Sequence, residues 1–178
     1  METNTSNDEI DRIKERLTKK GVIIGIPTER FSDVYGFEDL KDRFFTIVAL
    51  PRLQPHLFEG LKCVREILIK EPQDRGVGHF IRALAGEYGF HLVTIDGRLF
   101  NDRKIESISQ IAGDVKSLLI ALKPSILFIR NLCDLDSNAP DICYLQRAVS
   151  SYCQTHVPSV FTIIACSHRR DVINTGYV

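Results

Sequence analysis

Net charge, long apolar runs and paired cysteines are all missing from this sequence. Its 178 residues carry 23 Lys plus Arg and 23 Asp plus Glu, so the formal net charge is zero. There is no basic excess to hold a nucleic-acid backbone and no acidic block to keep a tail solvated, so nucleic acid is not an expected partner. No apolar run approaches the roughly 20 residues of a membrane-spanning helix. The opening stretch METNTSNDEIDRIKERL lacks the apolar core of a secretory signal. The expectation is a chain with no membrane partner, located in the cytoplasm, with the nucleus as a second compartment. Five cysteines stand at 63, 133, 143, 153 and 166 without a C-x-x-C pair, the pattern of reduced, buried thiols. Five histidines at 56, 79, 91, 156 and 168 lack zinc-ligand spacing, so no metal is expected. Internal repeats and low-complexity blocks are absent too.

What is present is a hydrophobic share of 44% against 26% charged residues, enough to bury a core. From Asn7 the pattern reads as a helix: Asn7 can cap it, and Asp8 and Glu9 suit the positive end of the dipole. Ile10, Ile13 and Leu17 share one face, and Gly21 marks the stop. The segment VIIGIPTERFSD reads as a connector, and a second helix is expected over 37–49, ending before Pro51. Phe44, Phe45, Val48, Leu53 and Leu57 look like packing positions. After that the chain alternates regularly. Strands are expected at 66–70, 90–95, 125–129 and 159–165, with helices at 77–88, about 104–122 and about 141–153. Four apolar strands alternating with helices imply βαβ units, hence an α/β fold with a parallel sheet covered on both faces.

In such a sheet, ligands bind beyond the carboxyl ends of the strands. The first loop of that kind reads EPQDRGVG (71–78). A phosphate-binding loop there would read G-x-x-x-x-G-K-[S/T]: glycines free backbone N–H groups for phosphate, the lysine reaches the β/γ-phosphates, and the hydroxyl holds magnesium. Here Gly76 keeps the second glycine place, whereas Glu71 takes the first, Val77 the lysine place and Gly78 the hydroxyl place.

VALPRLQPHLFEGLK (48–62) followed by REILIKEPQDRGVGHFIRALAGE (65–87) resembles the AAA ATPases, in particular the meiotic clade of spastin, katanin, fidgetin and the Vps4-type enzymes. FSDVYGFEDLK (31–41) is similar to the segment whose backbone lies near the adenine in that family, which places Asp33 and Gly36 on the adenine side. KPSILFIRNLCDLD (123–136) resembles the Walker B strand, and VFTIIACSHRRDVIN (160–174) the sensor strand. The resemblance implies a P-loop NTPase (AAA+) three-layer sandwich over 31–178, preceded by a helix and connector over 1–30. It also implies that the arginine fingers, a fifth strand and the helical lid of the family are not reached before the end of the sequence. With no fifth strand, the edge of EILIK is expected to be covered by VIIGI (22–26) or by a partner chain.

The residues that carry the family's chemistry do not follow the framework. Val77 removes the phosphate-contacting cation and Gly78 the magnesium-binding hydroxyl. Arg130 stands at the metal-positioning aspartate and Asn131 at the catalytic glutamate, while His168 takes the sensor asparagine's place. Phosphoryl transfer rests almost wholly on positioned charge and metal. The vestigial loop Glu71, Pro72, Gln73, Asp74, Arg75, Gly76, Val77, Gly78 brings in two carboxylates. Either they are solvated loop charges, or Arg130 pairs with Glu71 or Asp74 and closes the pocket. At the pore-loop position Lys104 replaces the aromatic that grips a threaded chain. The leading expectation is a pseudo-ATPase without cofactor, acting as a binding, regulatory or assembly subunit with an active AAA relative or its adaptor, in a homo- or hetero-oligomer. The alternative is an ATPase of the microtubule-severing type with residual ATP and magnesium binding, for which tubulin would be a partner. A third is a decayed paralogue or partial product with no function of its own.

Overall fold

The computed structural model describes residues 2–61, 64–70, 76–100, 105–131 and 160–166. Helix α1 spans Glu2–Lys19, so Asn7 lies within it rather than capping it. A local capping preference is worth only about 1 kcal/mol, less than the burial of Ile13 and Leu17, which anchors the helix further along. Its partner is α5 (Ile105–Ala121). Ile13 and Leu17 pack with Val115, Leu118 and Leu119, and Arg16 grips Asp114 through two nitrogens at 3.1 and 2.8 Å.

The connector then forms a short strand, β1 (Ile23–Gly25). Next, α2 (Glu38–Phe44) runs through a π turn at Phe45–Ala49 into α3 (Leu50–Leu53). The helix therefore does not stop before Pro51. The π turn restarts the hydrogen-bond ladder, and Pro51 falls in the first turn of α3, where no intrahelical N–H is needed. Phe44 and Val48 are buried, but Phe45, Leu53 and Leu57 are exposed. Leu53 and Leu57 therefore do not take the packing positions expected of them, whereas Phe45 rests at the surface against the Tyr88 ring, 6.3 Å away.

The remaining described elements are β2 (Glu66–Lys70), α4 (Val77–Tyr88), β3 (His91–Asp96), β4 (Ser125–Arg130) and β5 (Val160–Cys166). The helix expected at 141–153 lies outside the described residues. The strands make one sheet in the order β1-β3-β4-β5-β2. The β3–β4, β4–β5 and β5–β2 pairs are parallel, and β1 lies antiparallel on β3. The fold is thus α/β with a mixed sheet. It places VIIGI opposite the expectation: Ile23 pairs with Thr94 and Gly25 with Leu92, at the far edge from EILIK. A short apolar segment suits either edge. Docking of α1 on α5 decides, because Val22 joins their cluster and leaves β1 within reach of β3 alone.

Alternation along the strands separates two cores. Val93, Ile95, Leu127 and Ile129 face α1 and α5. Leu92, Ile126, Phe128, Phe161 and Ile163 face α4 and the α2 segment. Phe80 centres the second core, with Phe31, Phe37 and Phe44 rings 5.7, 5.7 and 5.3 Å away. Helix α4 ends at Gly89, whose φ of 66° is the left-handed stop of a helix C-terminus. Gly86, on the same helix, serves a different purpose. A Cβ there would stand 2.1 Å from the Glu29 carbonyl oxygen and 2.9 Å from that of Pro27, so the connector crosses α4 only because no side chain is present. Gly86→Ala is expected to cost about 1–3 kcal/mol of overpacking, offset by up to about 1 kcal/mol of helix propensity. Urea unfolding would measure it, and a stabilised variant would refute the close crossing.

Candidate functional site

The carboxyl ends of β3 and β4 and the first turn of α4 bring the chemistry-bearing residues together. Gly76 precedes α4 with a φ of 98°, a conformation open to glycine and strained for other residues. Beside it lies Phe37, itself left-handed at φ 63°. A Cβ on Gly76 would be 3.9 Å from the Phe37 ring, so the segment around Asp33 and Gly36 abuts the start of α4. Asp33 does not turn its carboxylate toward that helix. The carboxylate accepts the Arg30 backbone N–H at 2.8 Å, while its carbonyl oxygen lies 3.1 Å from His79 Nε2. Gly36, at φ 78°, supplies the turn before Phe37.

Val77 points into the second core and is 3% exposed. Gly78, one residue on, lines an open pocket instead. Glu71, Pro72, Gln73, Asp74 and Arg75, with Lys104 and His168, lie outside the described residues, as do Cys133, Cys143 and Cys153.

Arg130 and Asn131 converge on a residue that the sequence patterning passed over. Asp96 ends β3 directly opposite Arg130 in register. Its Oδ2 accepts Asn131 Nδ2 at 3.1 Å and lies 3.3 Å from Arg130 Nε. Arg98 folds back on the same carboxylate, with Nη2 at 2.7 Å from Oδ2 and both Nε and its backbone N–H on Oδ1. The side-chain hydrogen bond from Arg98 chiefly, then its backbone N–H and Asn131, outweigh partial burial and pull the Asp96 carboxyl down to about 2. Asp96 is the partner of Arg130 among the described residues; the alternatives for Glu71 and Asp74, a pairing with Arg130 or solvated loop charges, lie outside them. The available signal was position: Asp96 follows FHLVTI at the strand end where α/β proteins place their ligands. Asn131 takes up a φ of 56°, which asparagine tolerates better than most residues.

A second charged cluster ties the connector to α4. Arg82 Nε donates to Glu29 Oε1 at 2.7 Å, and Arg82 Nη2 lies 3.4 Å from His79 Nδ1. The Phe31 backbone N–H donates to Glu87 at 3.2 Å. A hydrogen bond from its own backbone, then the one from Arg82, lowers the Glu29 carboxyl below its usual range. Between the two clusters the pocket holds about 210 Å³, walled by β1 and the connector on one side and Gly78, Arg82 and Arg130 on the other.

An α/β mixed sheet of this kind is compatible with a nucleotide-binding fold, and comparison with known proteins agrees at that level. No family model matches the chain. It is 30% identical over 100 residues to the outer mitochondrial transmembrane helix translocase of Danio rerio, covering 54% of this chain and 28% of that protein. With the human translocase it shares 29% over 102 residues, 56% of this chain and 28% of that one. With spastin of Xenopus tropicalis it shares 29% over 104 residues, 58% of this chain and 17% of spastin. The similarity is weak and partial, and supports an AAA-like relationship. The chain spans less than a third of the length of these relatives, so what they do as whole proteins is not transferred with it.

These relatives correct the expected cytoplasmic location. The translocase is by name a protein of the outer mitochondrial membrane. Neutral charge and short apolar runs did not bear on the question, because a domain folded in water has that composition whether or not its protein is held at a membrane. Among the described residues no helix is long and apolar enough to cross one.

Proposed function

We propose that the chain is an AAA-like module that binds or assembles with another protein and does not hydrolyse ATP. The observation that carries this reading is the pairing of Arg130 and Asn131 with Asp96 at the strand ends. An oxygen-rich set would be needed there to hold magnesium and to activate water. A guanidinium and an amide fit neither task, and Asp96, the carboxylate beside them among the described residues, is already taken by Arg98 and Asn131. Val77 supports the reading further, since an uncharged side chain packed into the core stands where a phosphate-contacting cation would be needed. The partner class is an active AAA protein or an adaptor of one, met as a homo- or hetero-oligomer.

A second reading, residual nucleotide binding, is favoured by one feature: Arg130 is 48% exposed, and its terminal nitrogens make no hydrogen bond among the described residues. Calorimetry with Mg-ATP and with ATP plus EDTA, alongside phosphate release, separates the two. The expected result is no turnover above blank. Turnover abolished by EDTA would overturn the pseudo-ATPase reading, whereas EDTA-insensitive binding without turnover would favour the second. Co-sedimentation with an active spastin-type protein tests the assembly role.

A further inference from the structure

A pocket lies between β1 and α4, beside the ends of β3 and β4 and against Gly78 in the first turn of α4. Its floor is apolar, formed by Leu92 and Phe128 with the partly buried Thr94 between them. Two guanidiniums reach its walls, those of Arg82 and Arg130. Each pairs with a single carboxylate through Nε, Arg82 by a hydrogen bond to Glu29 at 2.7 Å and Arg130 by a looser ion pair with Asp96 at 3.3 Å. Arg130 keeps both terminal nitrogens, and Arg82 one, free of any protein acceptor among the described residues. Fixing Nε while leaving the outer N–H groups open is how an arginine is held ready for an anion.

We infer that this pocket binds a compact organic anion: a carboxylate on a flat apolar body, with the body on Leu92 and Phe128 and the carboxylate between Arg82 and Arg130. Size fits the proposal. A dry cavity of about 150 Å³ accepts benzene, and the pocket offers about 210 Å³. Gly78 is needed for the space, because a Cβ there would meet nothing within 4 Å and would project into an open volume. Glu29 is the one carboxylate among the lining residues, and its charge is directed to Arg82 and its own backbone. The inference goes beyond the pseudo-ATPase reading and does not depend on it, since it concerns binding without turnover.

The test uses benzoate, its neutral isostere benzamide, and inorganic phosphate, titrated into the ¹⁵N-labelled full chain. Benzoate is expected to shift the amides of Gly25, Gly78 and Thr94 saturably in the millimolar range. Benzamide and phosphate are each expected to be at least about tenfold weaker, for want of the charge or the ring. Arg130→Gln should weaken benzoate about tenfold. Glu29→Gln, which frees Arg82, should tighten it several-fold, a response that a purely structural role for Glu29 would not produce. Gly78→Leu fills the space at an unobstructed helical position and should abolish the shifts while keeping the fold, which guards against an Arg130 variant that fails to fold. Equal binding of benzamide or phosphate, or benzoate binding indifferent to Gly78→Leu, would overturn the site.

Discussion

Phe80→Ala is expected to remove about 3–5 kcal/mol of stability, the range for truncating a fully buried aromatic ring. The magnitude follows from where the ring sits. Phe80 has no exposed surface, and the rings of Phe31, Phe37 and Phe44 rest on it from three different stretches of the amino-terminal half. Each aromatic pair adds about 0.5–1.5 kcal/mol beyond burial, and all three are lost together. Since total stability of a domain is about 5–15 kcal/mol, the variant should be close to unfolding at 37 °C. Phe80→Leu keeps most of the volume and should cost less, about 1–2 kcal/mol. Urea melts by far-ultraviolet circular dichroism would decide. A loss under 1.5 kcal/mol for the alanine variant would mean the three rings are held by something other than Phe80.

The second large effect belongs to Asp96. Its carboxyl is lowered from 3.8 to about 2 by Arg98, with Asn131 assisting. A group whose folded pKa is depressed contributes stability that is present above the unfolded pKa and lost as pH falls through the folded one. The full contribution is therefore expected above about pH 5, waning between about 4 and 2. Taken at face value a shift of that size corresponds to about 2 kcal/mol. Arg98 and Arg130 are 58% and 48% exposed, so water and salt screen them and about 1–2 kcal/mol is the better figure. Asp96→Asn should cost that much at pH 7, and the gap from the parent protein should close toward pH 2. A gap that is constant down to pH 2 would show that the amide disturbs packing, with charge playing no part.

How much of this was legible in the sequence differs from element to element. EILIK at 66–70 and the helix over 77–88 fall where the structure has β2 and α4. Both announce themselves locally, one by an unbroken apolar run, the other by the spacing of Val77, Phe80, Ile81 and Leu84 ahead of Gly89. The edge that VIIGI would choose was not legible, because pairing partners are set by whatever else docks. Here that is α1 on α5, a contact between residues 98 apart at Arg16 and Asp114. The π turn at Phe45–Ala49 was hidden for a related reason: helix periodicity tolerates one extra residue without any change in composition. At the site, Arg130 and Asn131 stand out against the carboxylates that the resembled family carries there, whereas Asp96 reads as no more than the polar end of a strand. Identity marked the first two; strand-end position alone hinted at the third, and the register with Arg130 gives it its partner.

The separation between α1 and α5 has a consequence during synthesis. A ribosome adds about 5–20 residues per second, so once Arg16 is made the helix face carrying Ile13 and Leu17 waits about 5–20 s before Asp114, 98 residues later, is polymerised. For that interval the nascent segment offers an uncovered greasy stripe to the crowded exit of the tunnel. Holdase chaperones bind such stripes, and the α1 face is where they should bind while α5 is still unmade.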